Sequence, residues 1–255
     1  MGPNELKCVT SVICGGDALN KTLRDKVNEY LYEHGSSAKI RVGYGLTEAT
    51  GAVCLPPENA FADGIIGVPF PDMYFKIVKP ETHEQVPKGV DGEICISGPL
   101  VMMGYLNNDA ETVQTLRYHD DGRLWLHTGD IGCMDKNGVI VFKQRLKRLI
   151  VSSGYNVYPS YIENIIVSHK DVASCTVIGV PHPYKGQVAK AYIVLRDGVE
   201  ATGEIKKEIQ DLCRKNISKY ALPQEYVYRK TLPTTLVGKV AFTKLEEENK
   251  RGKKS

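Results

Sequence analysis

The sequence predicts a protein of mixed α/β and α+β class: part of a parallel α/β sheet and a small β-barrel, followed by a small α+β domain at the carboxyl end. Three observations predict this class. Residues 8–43 show strand, helix and strand patterns in turn, which is the order of a parallel βαβ unit. Residues 56–145 contain short strand patterns broken by glycine and proline, and longer helix and strand patterns alternate after residue 148.

The βαβ unit begins with a predicted buried strand at residues 8–14, C-V-T-S-V-I-C, which ends at Gly15-Gly16. Residues 20–34 predict a helix, because apolar side chains recur on one face, and residues 39–43 predict a second buried strand. Parallel strands end at the same edge of a sheet, where open α/β sheets bind ligands. We therefore expect Gly15-Gly16 and Tyr44–Glu48 to lie together at that edge.

The barrel-like region is predicted from short apolar runs, among them Tyr74–Val78 and Gly92–Ser97. Two strong hairpin signals support it, D-G at 121–122 and N-G at 137–138. One or two helical turns are expected around Asp109–Leu116.

The region after residue 148 predicts helices at Pro159–Ser168 and Glu204–Asn216 and strands at Ala173–Val180 and Ala189–Leu195. The basic residues at the end of the chain are expected to fray.

Two domains follow from these patterns. The first is predicted at residues 1–145, with an α/β part at 1–55 and a barrel-like part at 56–145. The second is a mobile, independently folding domain at 146–255. A chain of 255 residues that is 42% apolar is long enough to bury such cores.

Composition excludes several classes of protein. No apolar run approaches the roughly 20 residues that cross a bilayer, and the first residues lack the apolar core of a signal peptide. The seven cysteines are scattered without a C-x-x-C or a cysteine-histidine cluster, which favours reduced thiols in the cytoplasm and argues against a zinc site. The basic run at 143–148 lacks an aromatic platform and the net charge is only +3, so no nucleic-acid partner is expected.

Seven short motifs carry the functional information, although each is weak by itself. In chain order they are G-G-D-A-L (15–19), Y-G-L-T-E (44–48), G-P-L-V-M-M-G-Y (98–105), H-T-G-D (127–130), R-L-K-R-L-I (145–150), S-G-Y-N-V-Y-P-S-Y-I-E (153–163) and L-P-T-T-L-V-G-K-V (232–240). Over nearly the whole chain this series resembles the carboxyl-terminal half of the adenylate-forming (AMP-binding) enzymes. Within that superfamily it is most similar to the fatty-acyl and aryl-CoA ligases.

The resemblance implies a two-step reaction. A carboxylate, here a medium- or long-chain fatty acid, attacks the α-phosphorus of ATP to give an acyl-adenylate and pyrophosphate, and the thiol of coenzyme A then displaces AMP. Such a site must hold an adenine, a ribose and a phosphoryl group on which negative charge accumulates. By resemblance, Tyr44 would lie against one face of the adenine, helped by the backbone freedom of Gly45, with Gly15, Gly16 and Asp17 lining the other.

The same resemblance assigns the polar roles. Thr47 would donate to the α-phosphate, and Glu48 would help to hold Mg²⁺, a cation that prefers oxygen ligands. Asp130 would accept from both ribose hydroxyls, and Arg145 would reach the ribose or the phosphate.

The remaining motifs imply a domain rotation between the two steps. Lys147 would be the hinge, and Lys239 would bridge the carboxylate and ATP during adenylation only. The loop of Ser153, Gly154 and Tyr155 would replace Lys239 in the second state, with Gly154 allowing coenzyme A to approach the backbone.

One part of the family pattern is missing. Residues 1–14 contain no Ser/Thr/Gly-rich phosphate loop, so the expectation is weak or no turnover by this chain alone. An open sheet edge at the strands of the βαβ unit is expected to favour self-association. Two alternative functions stay open: a non-catalytic adenylate-binding or interaction module, and a peptide-synthetase-type adenylation domain.

Overall fold

The computed structural model describes residues 2, 4–16, 19, 21–58, 64–235 and 240–251. It divides the chain into two compact units, Met1–Lys143 and Gln144–Ser255. Among the described helices, none is long and apolar enough to cross a membrane.

The first unit opens with the predicted βαβ arrangement. Strand β1 (Val12–Cys14), helix α1 (Lys21–Glu33) and strand β2 (Ile40–Val42) follow in order, and β1 pairs with β2 in parallel. Both strands are shorter than predicted, and Ile13 on β1 is 57% exposed rather than buried. The prediction of a parallel unit is confirmed, whereas the prediction that β1 is a buried strand is wrong.

The rest of the first unit is a mostly antiparallel sheet of eight strands in the order β3-β4-β5-β10-β9-β7-β6, with β8 paired to β9. The elements are β3 (Tyr44–Leu46), β4 (Gly51–Leu55), β5 (Ile65–Pro69), β6 (Tyr74–Val78), β7 (Gly92–Ser97), α2 (Asp109–Thr115), β8 (Leu116–Tyr118), β9 (Leu124–Met134) and β10 (Ile140–Arg145). In the described residues the end strands β3 and β6 do not pair, so the predicted barrel is an open sheet. Closure depends on strand tilt and stagger, which the short apolar runs do not specify.

Two local turns were predicted correctly. The D-G turn connects β8 to β9, with Gly122 at φ +73°, and the N-G turn connects β9 to β10, with Gly138 at φ +84°. Glycine is favoured at both positions because a side chain is strained at positive φ. These turns set β9 between its neighbours.

Strand β7 lies between β9 and the end strand β6 and is buried along its whole length. Ile94 and Ile96 pack into the main apolar core of this unit, together with Leu126 of β9. The alternate residue Cys95 packs with Trp125 in a smaller cluster. Because successive side chains of a strand point to opposite faces, β7 and β9 contribute side chains to two separate layers.

The described residues of the second unit form a five-stranded sheet with three helices. Its strands are ordered β12-β11-β14-β13, and β15 pairs in parallel with β14. The elements are β11 (Ile150–Ser152), β12 (Tyr155–Val157), α3 (Pro159–Val167), β13 (Val172–His182), β14 (Gly186–Leu195), α4 (Gly203–Asn216), β15 (Glu225–Arg229) and α5 (Phe242–Arg251).

The core of the second unit packs α3 and α4 against this sheet. Ile162 and Ile166 of α3 and Ile209 and Cys213 of α4 are fully buried. Helix α5 was not predicted. Lys250 and Arg251 at its end are helical, and the rest of the basic tail, which was expected to fray, lies outside the described residues. The apolar anchor of α5 is Leu245, which is fully buried in a separate cluster.

Candidate functional site

Tyr44 and Asp130, two of the predicted nucleotide residues, lie in direct contact in the first unit. The Tyr44 hydroxyl donates a hydrogen bond of 2.6 Å to Oδ2 of Asp130, although the residues are 86 positions apart. Tyr44 is half-buried at the start of β3, and Asp130 is 1% exposed on β9. A carboxylate this buried needs donors, and the phenol hydroxyl is one of them.

A local backbone distortion within β9 shapes the T-G-D motif. Gly129 has φ +66°, and its N–H donates to Oε1 of Glu93 at 3.0 Å. The Thr128 hydroxyl donates to the carbonyl of Ile94 at 2.7 Å and accepts from the N–H of Asp130 at 3.1 Å. The motif lies inside a strand, and its polar groups fix the backbone before Asp130.

Glu48, the predicted magnesium ligand, is held by a residue that sequence reasoning missed. The hydroxyl of Tyr105 donates to Oε1 of Glu48 at 2.7 Å, and the N–H of Met102 donates to the backbone carbonyl of Glu48 at 2.8 Å. Burial and the neighbouring Glu48 raise the pKa of Tyr105, so its hydroxyl remains a donor at neutral pH. The sequence did point to Tyr105 as a candidate site residue, because it is the last residue of the G-P-L-V-M-M-G-Y motif.

Thr47 and Glu48 belong to a single 3-10 turn, Thr47–Ala49. Ala49 is fully buried and anchors the turn, whereas Thr47 is exposed and Glu48 half-buried. The following residue, Thr50, has φ +61°, and its hydroxyl donates to the carbonyl of Leu100 at 2.7 Å. The predicted phosphate donor and metal ligand are thus presented side by side on a fixed turn.

The two glycine motifs meet at the ends of β1 and β2. The N–H of Gly43 donates to the carbonyl of Cys14 at 2.8 Å, and a Cβ built on Gly15 would lie 3.4 Å from the Gly43 carbonyl oxygen. Gly16 follows with φ +86°. Gly15 therefore lies beside Gly43, the residue before Y-G-L-T-E, and a shared role of the two motifs towards a nucleotide stays a prediction.

The structure explains why position 45 is a glycine, for a reason that the sequence did not suggest. A Cβ at this position would lie 1.8 Å from the carbonyl oxygen of Gly51, on the neighbouring strand β4. The absence of a side chain at Gly45 therefore allows the backbones of β3 and β4 to approach each other closely, which requires no bound nucleotide. A role of Gly45 towards a nucleotide stays a prediction.

In the second unit, Arg145 and Lys147 are exposed, and Lys147 lies in the 3-10 turn Leu146–Arg148. The preceding Gln144 is 2% exposed, and its side-chain oxygen accepts from the N–H of Ser160 at 3.1 Å, in the first turn of α3. This contact gives Gln144 a helix-capping function, since the N-cap residue of α3 makes no side-chain hydrogen bond of its own.

The predicted coenzyme A loop is the tip of the β11–β12 hairpin. Ser153 has φ +51° and Gly154 φ +82°, the combination found in two-residue hairpin turns. Both residues are exposed, and the Tyr155 ring stacks on Tyr220 with 4.7 Å between ring centroids. The other two predicted residues, Asp17 and Lys239, lie outside the described part of the chain.

Comparison with known proteins identifies relatives over nearly the whole chain. The family model described as AMP-binding enzyme matches residues 3–106, and the one described as AMP-binding enzyme C-terminal domain matches residues 161–239. A long-chain-fatty-acid–CoA ligase of Bacillus subtilis is 36% identical over 247 residues, covering 96% of this chain and 41% of the relative. A feruloyl-CoA synthase of Amycolatopsis sp. is 35% identical over 240 residues, covering 92% and 45%.

A similar solved structure is that of ATP-bound MatB from Rhodopseudomonas palustris. It superimposes with a TM-score of 0.79 at 27% identity, over 92% of this chain and 44% of that protein. The chain therefore spans about two fifths of the length of the curated relatives and solved structures that it matches.

Proposed function

We propose that this chain, which belongs to the AMP-binding enzyme family, is the adenylate-recognising carboxyl-terminal part of an AMP-forming acyl-CoA synthetase. The proposed reaction joins a medium- or long-chain fatty acid to coenzyme A by way of an acyl-adenylate. The observation that carries the proposal is the hydrogen bond from Tyr44 to Asp130, which joins two separate motifs into one polar and aromatic surface.

Tyr44 and Asp130 together suit the nucleoside of AMP. The Tyr44 ring offers a flat face to adenine, and Asp130 offers acceptors to the two ribose hydroxyls. The hydrogen bond between them does not prevent this, because an ionised carboxylate has about four acceptor positions and Tyr44 occupies one. Tyr44 therefore orients the carboxylate for the ribose, which lowers the entropic cost of binding.

Glu48 fits the magnesium ion that the family implies. Mg²⁺ is commonly held by one or two carboxylates together with substrate phosphates and water, so a single half-buried glutamate is a sufficient protein contribution. When bound, the ion would neutralise the charge that develops on the phosphates. Tyr105 fixes the direction of the Glu48 carboxylate, and the adjacent exposed Thr47 is free to donate to the α-phosphate.

The second unit would supply the groups that differ between the two chemical steps. We assign the hinge to the exposed Lys147 and the coenzyme A contact to the exposed turn of Ser153 and Gly154, with Tyr155 beside it. Lys239 would activate the fatty acid during adenylation. The proposed boundary between the nucleotide domain and this mobile domain lies at residues 145–146.

A binding titration tests the proposal. AMP and a non-hydrolysable fatty-acyl adenylate are titrated calorimetrically into the wild-type chain, Asp130→Ala and Asp130→Asn, with the exposed Asp120→Ala as the matched control. We expect saturable binding by the wild type and Asp120→Ala, and its loss in Asp130→Ala. Failure of a folded wild-type chain to bind either ligand, or equal binding by all four proteins, would contradict the proposal.

Substrate class and turnover need separate measurements. Competition between fatty-acyl, feruloyl and aminoacyl adenylate analogues distinguishes the fatty-acid proposal from an aryl or a peptide-synthetase-type enzyme; tighter binding of the fatty-acyl analogue is expected. Pyrophosphate release from ATP and fatty acid measures turnover. We expect little or none from this chain alone, which would make it an adenylate-binding module unless the remaining parts of the family fold are supplied.

A further inference from the structure

Three of the six histidines come together in the first unit. His83 precedes β7, His119 follows β8, and His127 lies on β9. One side-chain nitrogen of each lies within 4.8 Å of those of the other two. His119 and His127 are 5% and 7% exposed, whereas His83 is exposed. The cluster is therefore a buried pair with a third imidazole at its opening.

The tautomer of His127 follows from its contact with Glu93. Nδ1 of His127 lies 2.9 Å from Oε2 of Glu93, and a carboxylate only accepts, so Nδ1 carries the proton. Nε2 of His127 then holds a lone pair. Nε2 of His119 lies 2.9 Å from it and donates in the metal-free arrangement. A carboxylate that orients the far nitrogen of a histidine in this way is a common feature of metal sites.

His119 is incompletely satisfied where it lies. With its Nε2 proton directed at His127, its Nδ1 is a buried acceptor, and it has no hydrogen-bond partner among the described residues. The cluster therefore contains a buried imidazole whose hydrogen-bonding capacity is not fully used by the described residues.

We propose that His83, His119 and His127 bind a divalent transition-metal ion, with Zn²⁺ as the best fit, and that Glu93 orients His127. Three imidazoles leave one position of a tetrahedral ion for water. The site does not overlap with Glu48, which is the residue proposed for Mg²⁺. The inference goes beyond the proposed function and does not depend on it.

Binding requires three small adjustments. In the first, the proton on Nε2 of His119 moves to the unpartnered Nδ1, which leaves the Nε2 lone pair for the ion. Zn–N bonds of about 2.0–2.1 Å place tetrahedral ligand nitrogens roughly 3.4 Å apart, so the 2.9 Å contact of the buried pair must widen by about 0.5 Å. The His83 ring now stacks on His119 with 4.1 Å between centroids and 13° between planes. It must turn to point a nitrogen at the ion, which its exposed position permits.

Neighbouring groups are compatible with a cation. Lys76 is a nearby positive charge, and its Nζ is paired with Oδ2 of Asp121 at 3.0 Å. Cys95 is opposite His127 in the β7–β9 pairing, but it packs with Trp125 in an apolar cluster, so we do not include it as a ligand. The cysteine spacing that argued against zinc did not address this site, because histidines from three separate segments form it.

The test is metal binding by the full chain in a Cys8→Ser background, which removes the exposed thiol. Zn²⁺ is titrated by calorimetry, and Co²⁺ by its visible absorption, which distinguishes tetrahedral nitrogen ligation. His83→Ala is the main variant, because an exposed side chain can be removed without disturbing the core. His127→Gln is the second variant, and His182→Ala, from the second unit, is the matched control.

We expect one equivalent of Zn²⁺ to bind, with affinity reduced about tenfold or more in His83→Ala and unchanged in His182→Ala. Zn²⁺ should also raise the unfolding temperature of the first unit, followed by Trp125 fluorescence. No stoichiometric binding by the folded chain would overturn the proposal. Equal affinity in the wild type and His83→Ala, or an equal loss in His182→Ala, would also overturn it.

Discussion

Replacing Tyr44 with phenylalanine removes one hydroxyl and keeps the aromatic ring. The hydroxyl donates to Asp130 at 2.6 Å, and Asp130 is 1% exposed, so water cannot readily replace the lost donor. A hydrogen bond to a charged group contributes about 1.5–3 kcal/mol, and leaving such a group undersatisfied costs at least as much. We therefore expect the free energy of unfolding of the first unit to fall by about 1.5–3 kcal/mol.

The single tryptophan of the chain makes this measurable for the first unit alone. Trp125 is 4% exposed and lies on β9, the strand that carries Asp130. Urea unfolding followed by its fluorescence reports on that strand. With a denaturant slope of about 2 kcal/mol per molar, a loss of about 2 kcal/mol lowers the urea midpoint by roughly 1 M.

Tyr118→Phe is the matched control, because Tyr118 is 71% exposed on β8 of the same sheet. Its substitution is expected to change stability by no more than about 0.5 kcal/mol. If Tyr44→Phe and Tyr118→Phe shift the midpoint equally, the hydrogen bond to Asp130 does not stabilise the fold as argued. Asp130→Asn, which keeps acceptor capacity but removes the charge, should show a smaller additional loss in the Tyr44→Phe background than in the wild type.

Three further predictions follow from single contacts. Gly45→Ala should destabilise the first unit by about 1–3 kcal/mol or more in the same assay, because the new Cβ would lie 1.8 Å from the Gly51 carbonyl oxygen. Gln144→Ala should lower the free energy of unfolding of the second unit by about 1 kcal/mol, measured by circular dichroism, because the N–H of Ser160 loses its acceptor. Exposed Cys8 should react with a thiol reagent well before the five buried cysteines, with all seven reacting in denaturant.

Each of these has a clear contrary result. An unchanged midpoint in Gly45→Ala would mean that the β3–β4 hairpin accommodates a side chain. Gln144→Glu keeps the acceptor. If Gln144→Ala and Gln144→Glu are equally stable, the hydrogen bond from Ser160 to Gln144 does not stabilise α3. Simultaneous rapid modification of all seven thiols in the native chain would contradict the burial of the core cysteines.

Local sequence chemistry predicted the parts of the fold that depend on local structure. The D-G and N-G pairs specified hairpins because few residues tolerate positive φ, and the βαβ order required a parallel pair. The T-G-D motif was placed among the site residues by resemblance, and the structure brings its Asp130 to Tyr44. The two turns and the parallel pair need no knowledge of which strands are neighbours in the antiparallel sheet, whereas the contact of Asp130 with Tyr44 does depend on that order.

Features that depend on the order of strands in the sheet could not be predicted from local sequence patterns. The histidine cluster arises only once β8 and β9 are paired in register, and the contact of Tyr105 with Glu48 joins two loop segments that are 57 residues apart in the chain. The open edge of the sheet has the same origin, since periodicity predicts strands but not whether the first and last ones meet. Helix α5 was missed because its sequence is mostly charged and a single residue, Leu245, is its fully buried anchor.

The carboxylates of Asp130 and Glu48 are each oriented by a hydrogen bond from a distant tyrosine. This explains why the motifs are informative together and weak alone. Asp130 is held by Tyr44, 86 residues before it, and Glu48 by Tyr105, 57 residues after it. In each case the tyrosine comes from a different motif than the carboxylate it orients. A phenol is well suited to this, because it donates a hydrogen bond without transferring its proton at neutral pH and leaves further lone pairs of the carboxylate for a ribose or a cation. Losing either tyrosine should therefore weaken the function of a motif that remains intact in sequence.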